Sequence, residues 1–294
     1  MNRSPDTSSP VREFWAAFRI HRAAHAACFV LLAMAVAALL SPWIAPHDPA
    51  FQYRDSLLLP PAWSPQGSPR FALGTDELGR DLLSRLLCGG RVSLGIGAAS
   101  VLLSMAPGIV LGLVAAFFPR HVAPAVMRIM DVMLALPGIL LAICVITVLG
   151  PGLSNTAIAI AVGALPGYAR LTRAAALSEI GREYVLASRV AGAGVGRLMF
   201  SVVLPNCMGP LIVNATLGFS SAILETAGLG FLGLGVQAPT PEWGSMLSAA
   251  RDYSEAAPWL VFVPGLTILA AVVCANLVGD GLRDALDPKL RRAH

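Results

Sequence analysis

Six long apolar runs are the feature of this 294-residue sequence that most constrains its fold. They cover residues 23–40, 92–118, 133–149, 156–171, 205–224 and 258–278. A helix that spans the hydrocarbon core of a bilayer needs about 20 mostly apolar residues. Hydrophobic residues make up 56% of the chain and charged residues only 13%, which excludes a disordered or ordinary soluble protein. The sequence therefore predicts an all-α, polytopic membrane protein with six transmembrane helices.

The placement of basic residues predicts how these helices are oriented. An even number of spans puts both termini on one side, and only six of the 21 basic residues fall on the other side. These are Arg54, Arg70, Arg80, Arg85, Arg91 and Arg251. Because cytoplasmic segments of membrane proteins carry the excess of Lys and Arg, we expect both termini in the cytoplasm. The first run is too long for a signal peptide, so it is interpreted as a retained anchor.

The spans and their orientation divide the chain into five parts. They are a cytoplasmic tail (1–22), a first transmembrane helix (23–41), an extracytoplasmic loop (42–91), a five-helix core (92–282) that contains a cytoplasmic loop (172–204), and a cytoplasmic tail (283–294). The two loops are the segments outside the membrane that are long enough to form structure of their own.

The end of the extracytoplasmic loop predicts a short helix. Thr75 is a good N-cap residue, and the acids Asp76 and Glu77 follow it in the first turn, where the helix dipole favours negative charge. Five leucines then recur at helical spacing on one face: Leu78, Leu82, Leu83, Leu86 and Leu87. An amphipathic helix of this kind is typical of one that lies on a membrane surface. We therefore expect an interfacial helix on the outer face of the membrane.

The cytoplasmic loop 172–204 predicts a second short helix with a face of small residues. Four residues follow the spacing i, i+3, i+4, i+7: Ala187, Val190, Ala191 and Gly194. A face of small side chains lets another protein approach the backbone closely. Gly192, Gly194 and Gly196 are expected to end the helix and permit a sharp reversal of the chain. From the residues alone, the loop is either an interfacial connector or a docking helix.

This loop resembles the signature of bacterial ABC importer permeases. In that family a Glu-Ala-Ala triplet is followed by a glycine four residues later and by Ile-x-Leu-Pro ten residues beyond the glycine. This chain has Leu186-Ala187-Ser188, then Gly192, then Val202-Val203-Leu204-Pro205 at the same spacing. It departs from the signature at Leu186, Ser188 and Val202. In the family this segment is the coupling helix, so we name loop 172–204 the coupling loop.

Three further stretches resemble one subgroup of these permeases. Residues 74–94, 130–138 and 225–247 resemble the second permease of the dipeptide, oligopeptide and nickel importers. The resemblance implies a type I ABC importer permease fold in a bacterial inner membrane, with this chain forming half of a channel. It implies four kinds of partner: a second homologous permease, one or two ATPase subunits, a soluble extracytoplasmic substrate-binding protein, and membrane lipid.

The same resemblance assigns the contact with the ATPase to the coupling loop. The residues assigned to it are Glu183, Ala187, Ser188, Val190, Ala191, Gly192, Leu204 and Pro205. The ATPase subunits would bind ATP and magnesium, so no cofactor is expected in this chain. The sequence agrees with this division, because its single lysine, Lys289, lies in no phosphate-binding loop. Gly228, Gly230 and Gly233 spell G-x-G-x-x-G without a preceding strand, and the five scattered histidines indicate no metal site.

Two acids in apolar runs are candidates for the translocation path. Asp131 lies at the start of the third run and Glu225 at the end of the fifth, and acids inside a membrane are costly and often functional. A helix-end ion pair of Asp131 with Arg128 is the alternative for the first acid. Glu225 precedes the glycine-rich stretch 227–235, which is interpreted as a re-entrant or outer-gate segment. Trp243 is interpreted as an interfacial anchor or a contact for the binding protein.

The function expected from the sequence is half of the channel of an ATP-driven importer for dipeptides or short peptides. Nickel, oligopeptides or another small solute of the same family are alternatives, because permease sequences separate these substrates poorly. An ion-driven secondary transporter is a second class, which would show paired intramembrane acids or broken helices in corresponding halves rather than a docking loop. A membrane-embedded enzyme is a third class, and it would need a polar constellation that the sequence does not contain.

Overall fold

The computed structural model describes residues 21–286, so most of both predicted tails and Lys289 lie outside the described residues. Over this range the chain forms helices, with one isolated bridge between Thr75 and Asp81 and no named strand. Nine helices carry the fold: α1 (Arg22–Ile44), α2 (Leu82–Phe117), α3 (Ala123–Leu134), α4 (Gly138–Leu149), α5 (Leu153–Ile180), α6 (Glu183–Val190), α7 (Leu204–Phe231), α8 (Trp243–Ala250) and α9 (Trp259–Leu286). The predicted all-α class is confirmed.

The number of membrane spans is close to the predicted six. Among the described residues, four helices are long and apolar enough to cross a bilayer: α1, α2, α9, and the continuous helical segment Val195–Phe231 that contains α7. The pair α3 and α4 makes a fifth candidate if the bent pair counts as one span. Helix α5 has 28 residues, about 42 Å at 1.5 Å per residue, which is sufficient length for a span. It is not among the helices that are apolar enough to span by composition, and its second half carries Arg170, Arg173 and Glu179.

The prediction of one helix over 133–149 is wrong. Helix α3 ends at Leu134 and α4 begins at Gly138, and the two axes meet at an angle of 94°. Pro137 lies at this break, where it lacks an N–H to donate and disfavours helical geometry at the residue before it. Pro166 has no such effect, because α5 continues through it.

The predicted interfacial helix is also wrong. Asp81, not Thr75, is the N-cap: its carboxylate accepts a hydrogen bond from the backbone N–H of Ser84, and α2 then runs unbroken for 36 residues. Leu82, Leu83, Leu86 and Leu87 therefore belong to the first turns of a membrane helix. Thr75 is fully buried, and its hydroxyl donates to the carbonyl of Ser56 and accepts from the N–H of Leu59.

Helix α2 lies at the centre of the fold and contacts α5 closely through two glycines. A Cβ atom on Gly108 would lie 2.6 Å from the Cβ of Tyr168, and one on Gly112 would lie 2.5 Å from the carbonyl oxygen of Ala169. These distances are too short for any side chain, so the small-xxx-small pair permits the backbones to approach. Helices α7 and α9 pack on each other, and α1 packs on α2 and α9.

The segment after Glu225 differs from the interpretation as a re-entrant loop. Helix α7 continues to Phe231, so the first half of 227–235 extends the helix. Trp243 is 2% exposed rather than at a surface: its ring packs on Gly89 and Gly90 of α2, and its Nε1–H donates to the carbonyl of Leu86 at 3.0 Å. The interpretation of Trp243 as an interfacial anchor or binding-protein contact is therefore wrong, and its role is to hold α8 against α2.

Candidate functional site in the coupling loop and a membrane cavity

The short helix predicted in the coupling loop is present as α6, which is anchored on one side. Glu183 lies in the first turn and Arg189 in the last, where each charge is favourable to the helix dipole. Val185 is the only buried residue of α6, with 0% of it exposed. It packs in an apolar cluster of buried residues from α2, α5, the π-helical segment Leu198–Val203 and the start of α7: Ile109, Leu113, Ala116, Ala176, Leu198, Met199, Val203, Cys207 and Leu211. This single anchor fixes which face of α6 points outward.

The outward face of α6 is apolar and exposed. Ala187, Val190, Ala191 and Gly192 are all exposed, with Val190 at 89%. Leu186, at the position where the family has Glu, is 46% exposed and adds to this surface. Side chains of this kind placed together in solvent mark an interaction site more often than a free surface. We name Leu186, Ala187, Val190, Ala191 and Gly192 the outward face.

Hydrogen bonds at the base of α6 tie it to the end of α5. The hydroxyl of Tyr184 donates to Oε2 of Glu179 at 2.6 Å, and Arg182 forms an ion pair with Oε1 of the same residue at 3.4 Å. Burial, with the hydrogen bond to Glu179, raises the pKa of Tyr184 to about 12, so the phenol remains a donor at neutral pH. Ser188 donates to the carbonyl of Tyr184, so its hydroxyl is satisfied within the helix. The coupling loop is thus held in place by contacts within the chain.

Gly192 ends α6 in a conformation that favours glycine. Its φ is +84°, and the N–H of Ala193 donates to the carbonyl of Ser188 at 3.1 Å, which is the six-residue hydrogen bond of a Schellman cap. The prediction that three glycines make the reversal is too broad. Gly194 has a φ of −67° and Gly196 lies inside the helical turn Val195–Arg197, so neither needs glycine's freedom.

The coupling loop connects to a membrane helix without an intervening loop. The turn Val195–Arg197 continues as a π-helix, Leu198–Val203, and then as α7. Leu204 and Pro205 form the first turn of α7, Leu204 half-buried and Pro205 exposed. The end of the coupling loop and the start of α7 therefore form one continuous helical segment.

The two candidate acids of the translocation path lie in different surroundings. Asp131 is about half exposed near the end of α3 and forms an ion pair with Arg170 of α5. The alternative of an ion pair between Asp131 and Arg128 is therefore wrong. Exposed ion pairs of this kind contribute roughly 0–1 kcal/mol, so this one fixes geometry more than stability.

Glu225 lies instead in a cavity. The cavity has a volume of about 210 Å³ and lies between α2, α5 and α7. Glu225 also lies close to the break between α3 and α4, since its Oε1 is 3.8 Å from the position of a Cβ on Gly138. Asp131 does not line this cavity. The structure therefore does not bring the two acids together in one site.

A third acid, Glu242, has a structural role to which no sequence signal pointed. It is fully buried and caps α8, accepting hydrogen bonds from the N–H groups of Gly244 and Ser245, both at 2.8 Å. Ser93 of α2 donates to the same carboxylate at 3.0 Å. Burial raises the pKa of Glu242, while these hydrogen bonds act in the opposite direction. Glutamate is an unusual N-cap, and its partner on α2 is distant in sequence, so only the structure identifies it.

Comparison with known proteins gives consistent similarities. Residues 108–292 match the family described as binding-protein-dependent transport system inner membrane component, and residues 9–61 match the N-terminal TM domain of oligopeptide transport permease C. The di/tripeptide transport system permease protein of Pseudomonas aeruginosa is 61% identical over 97% of this chain and 94% of its own length. The dipeptide transport system permease protein of Escherichia coli K12 is 51% identical over 98% of this chain and 96% of its own.

A solved structure supports the fold. A chain of the methionine ABC transporter MetNI, in an inward-facing conformation, aligns with a TM-score of 0.56 at 21% identity. The alignment covers 69% of this chain and 96% of that chain.

Proposed function

The chain belongs to the family of binding-protein-dependent transport system inner membrane components, and on this premise we propose that it forms half of the channel of an ATP-driven importer for dipeptides or short peptides. The resemblance to the second permease of peptide importers is confirmed by the family match and by full-length relatives. The names of those relatives support peptides as the substrate.

The proposed assembly assigns ATP hydrolysis to other chains. A second homologous permease completes the channel, one or two ATPase subunits bind ATP and magnesium, and a soluble protein delivers the peptide from outside. No cofactor binds to this chain. Both termini and the coupling loop face the cytoplasm in this assembly, which agrees with the excess of basic residues on that side.

The observation that carries this proposal is the exposed outward face of α6. Val185 holds the helix to the membrane core, so the face that includes Val190 is free for a partner, and small residues let that partner approach the backbone. Glu183, Ala187, Ser188 and Gly192 lie in or beside this contact in the proposal. Leu204 and Pro205 then transmit the movement of the ATPase to α7.

Both candidate acids take part in transport in this proposal. Asp131, paired with Arg170, links α3 to the half of α5 that leads to the coupling loop. Glu225 faces the cavity between α2, α5 and α7, which we assign to the translocation path. Among the described residues Glu225 has no ion pair or hydrogen bond. A carboxylate without a partner destabilises the membrane part of a chain, which supports a role in function rather than in stability.

Two matched glycine substitutions test the docking of the ATPase. A Cβ on either Gly192 or Gly196 would meet no atom of this chain within 4 Å, so a new side chain at either place projects into solvent. We expect Gly192→Asp to reach the membrane, lose the ATPase in a detergent pull-down and abolish uptake, because an unpaired charge buried in an interface costs several kcal/mol. Gly196→Asp lies beyond the outward face and is expected to be milder.

Strain at Gly192 needs a separate control. Asparagine tolerates a positive φ better than most side chains. Gly192→Asn therefore shows the effect of a side chain without charge, and its comparison with Gly192→Asp shows the effect of the charge. If Gly192→Asp retains both the ATPase and full uptake, the coupling loop is only a connector and the proposal fails.

A further inference from the structure

The cavity beside Glu225 has a polar wall formed by one helix. Asn214, Gly218, Ser221 and Glu225 of α7 line it, and their spacings of four, three and four residues place them on one helix face. Tyr168 of α5 forms another part of the wall, and a Cβ on Gly218 would clash with its hydroxyl. Glycine at 218 therefore makes room for this ring. At about 210 Å³ the cavity is smaller than the roughly 300 Å³ of a small-molecule pocket, so it fits one end of a peptide.

The carboxylate of Glu225 in this cavity has no cationic partner within the described chain. Glu225 is half-buried, and over residues 21–286 its carboxylate takes part in no ion pair or hydrogen bond. Arg170 of the neighbouring helix α5 is already paired with Asp131. A carboxylate in a membrane-embedded space is costly unless a cation or several donors satisfy it. The arrangement therefore favours a cationic ligand.

We propose that this cavity is a binding subsite for the free α-ammonium group of a peptide in transit, with Glu225 as the residue that pairs with it; this inference rests on the proposed function. A primary ammonium group carries one positive charge and three N–H donors. The carboxylate of Glu225 accepts from it, and Ser221, one turn earlier on the same wall, lines the space beside it.

The subsite explains how one channel can conduct peptides of different sequence. Every peptide with a free N-terminus presents the same ammonium group, whatever its side chains. An N-acetylated peptide has lost the charge and cannot pair with Glu225. The cavity thus binds a chemical group that all the substrates share, and it does not discriminate between their side chains.

Protection of a cysteine at position 221 tests the subsite directly. Ser221 is exposed and lies one turn from Glu225, so Ser221→Cys is introduced into a chain whose five native cysteines are replaced. The complex with its second permease and ATPase is placed in nanodiscs without the binding protein, and the rate of maleimide labelling is measured. We expect millimolar alanyl-alanine to slow labelling several-fold and N-acetyl-alanyl-alanine to have no effect.

Two acid variants complete the experiment. Glu225→Gln removes the charge at nearly constant shape and is expected to abolish protection, whereas Glu255→Gln, at an exposed site outside the cavity, retains it. Equal protection by both peptides, no protection by alanyl-alanine, or unchanged protection in Glu225→Gln would overturn the inference. The ATPase content of each preparation is measured as well. Loss of the ATPase counts against the proposed function, and loss of selective protection with the ATPase present counts against this subsite alone.

Discussion

The two ends of helix α2 contact regions of opposite character. Near its C-terminal end lies α6, which presents Val190 at 89% exposure and Leu186 at 46%. At its N-terminal end lies a cap, which we define as residues 45–81 together with α8. In and next to the cap, five charged residues are at most 6% exposed: Asp76, Arg80, Asp81, Arg85 and Glu242. One region exposes apolar side chains to solvent, and the other buries charges.

The difference shows which region is complete within the chain. In the cap, Arg80 pairs with Asp76 at 2.6 Å, and Glu242 accepts three hydrogen bonds, so the buried charges have partners. Buried charges with partners are strongly destabilising to remove singly. The outward face of α6, in contrast, is exposed and is not covered by any other part of the described chain. The comparison therefore predicts stability effects for changes in the cap and binding effects for changes on the outward face.

The largest expected effect on stability comes from a charge on the buried side of α6, compared with the same charge on its exposed side. Val185→Asp buries a carboxylate in the apolar cluster and is expected to lower the free energy of unfolding by at least about 4 kcal/mol. Val190→Asp, on the exposed side, is expected to change it by less than about 0.5 kcal/mol while the ATPase is lost. Thermal denaturation in detergent and a pull-down measure the two quantities. Equal destabilisation by the two variants would show that α6 has no free face.

A smaller effect is expected from removing the buried carboxylate of the cap. Glu242→Ala leaves the hydroxyl of Ser93 and the N–H groups of Gly244 and Ser245 without their acceptor. We expect a loss of about 2–3 kcal/mol in stability, with faster hydrogen exchange in α8 and normal binding of the ATPase. Glu255→Ala, at an exposed site, is the control and should behave like the wild type. Loss of the ATPase in Glu242→Ala would mean that the two ends are not independent.

The smallest expected effect is a pH dependence that belongs to Glu242. Its pKa in the folded chain is raised by burial, so the folded state holds the proton more tightly than the unfolded state. Its contribution to stability is then fully present below the unfolded pKa and is lost as the pH rises through the folded pKa. Glu242→Gln should abolish this part of the pH dependence. Melting temperatures of both proteins are measured from the unfolded pKa of glutamate, about 4.3, up to neutral pH, and parallel curves would contradict the shift.

The sequence alone predicted those features that depend on residues close together in the chain. The apolar runs predicted the helical class and the approximate positions of the membrane helices, because length and composition alone decide whether a helix can span a bilayer. The spacing of Ala187, Val190 and Ala191 predicted a short helix with a small-residue face, and α6 carries the first two on its exposed side. The anchor Val185 was not predicted, because its neighbours come from α2, α5, the π-helix Leu198–Val203 and α7.

The errors arose where distant residues decide the structure. Thr75 and Asp81 are both good N-cap residues, and Thr75 is unavailable because its hydroxyl binds backbone groups of residues 56 and 59. Asp131 pairs with Arg170, 39 residues away, rather than with Arg128 one turn back. Glu242 acquires its role through Ser93, at a separation of 149 residues. Periodicity and capping patterns contain none of these contacts.

The most direct test of the account is whether an ATPase subunit covers Val190. Val190→Cys is introduced into the cysteine-replaced chain, and inside-out membrane vesicles are stripped of the ATPase and treated with a membrane-impermeant maleimide. We predict rapid labelling of the stripped vesicles and strong protection once the ATPase is added back, while Gly196→Cys remains labelled in both states. Labelling of position 190 only in right-side-out vesicles, or at the same rate with and without the ATPase, would contradict the central claim.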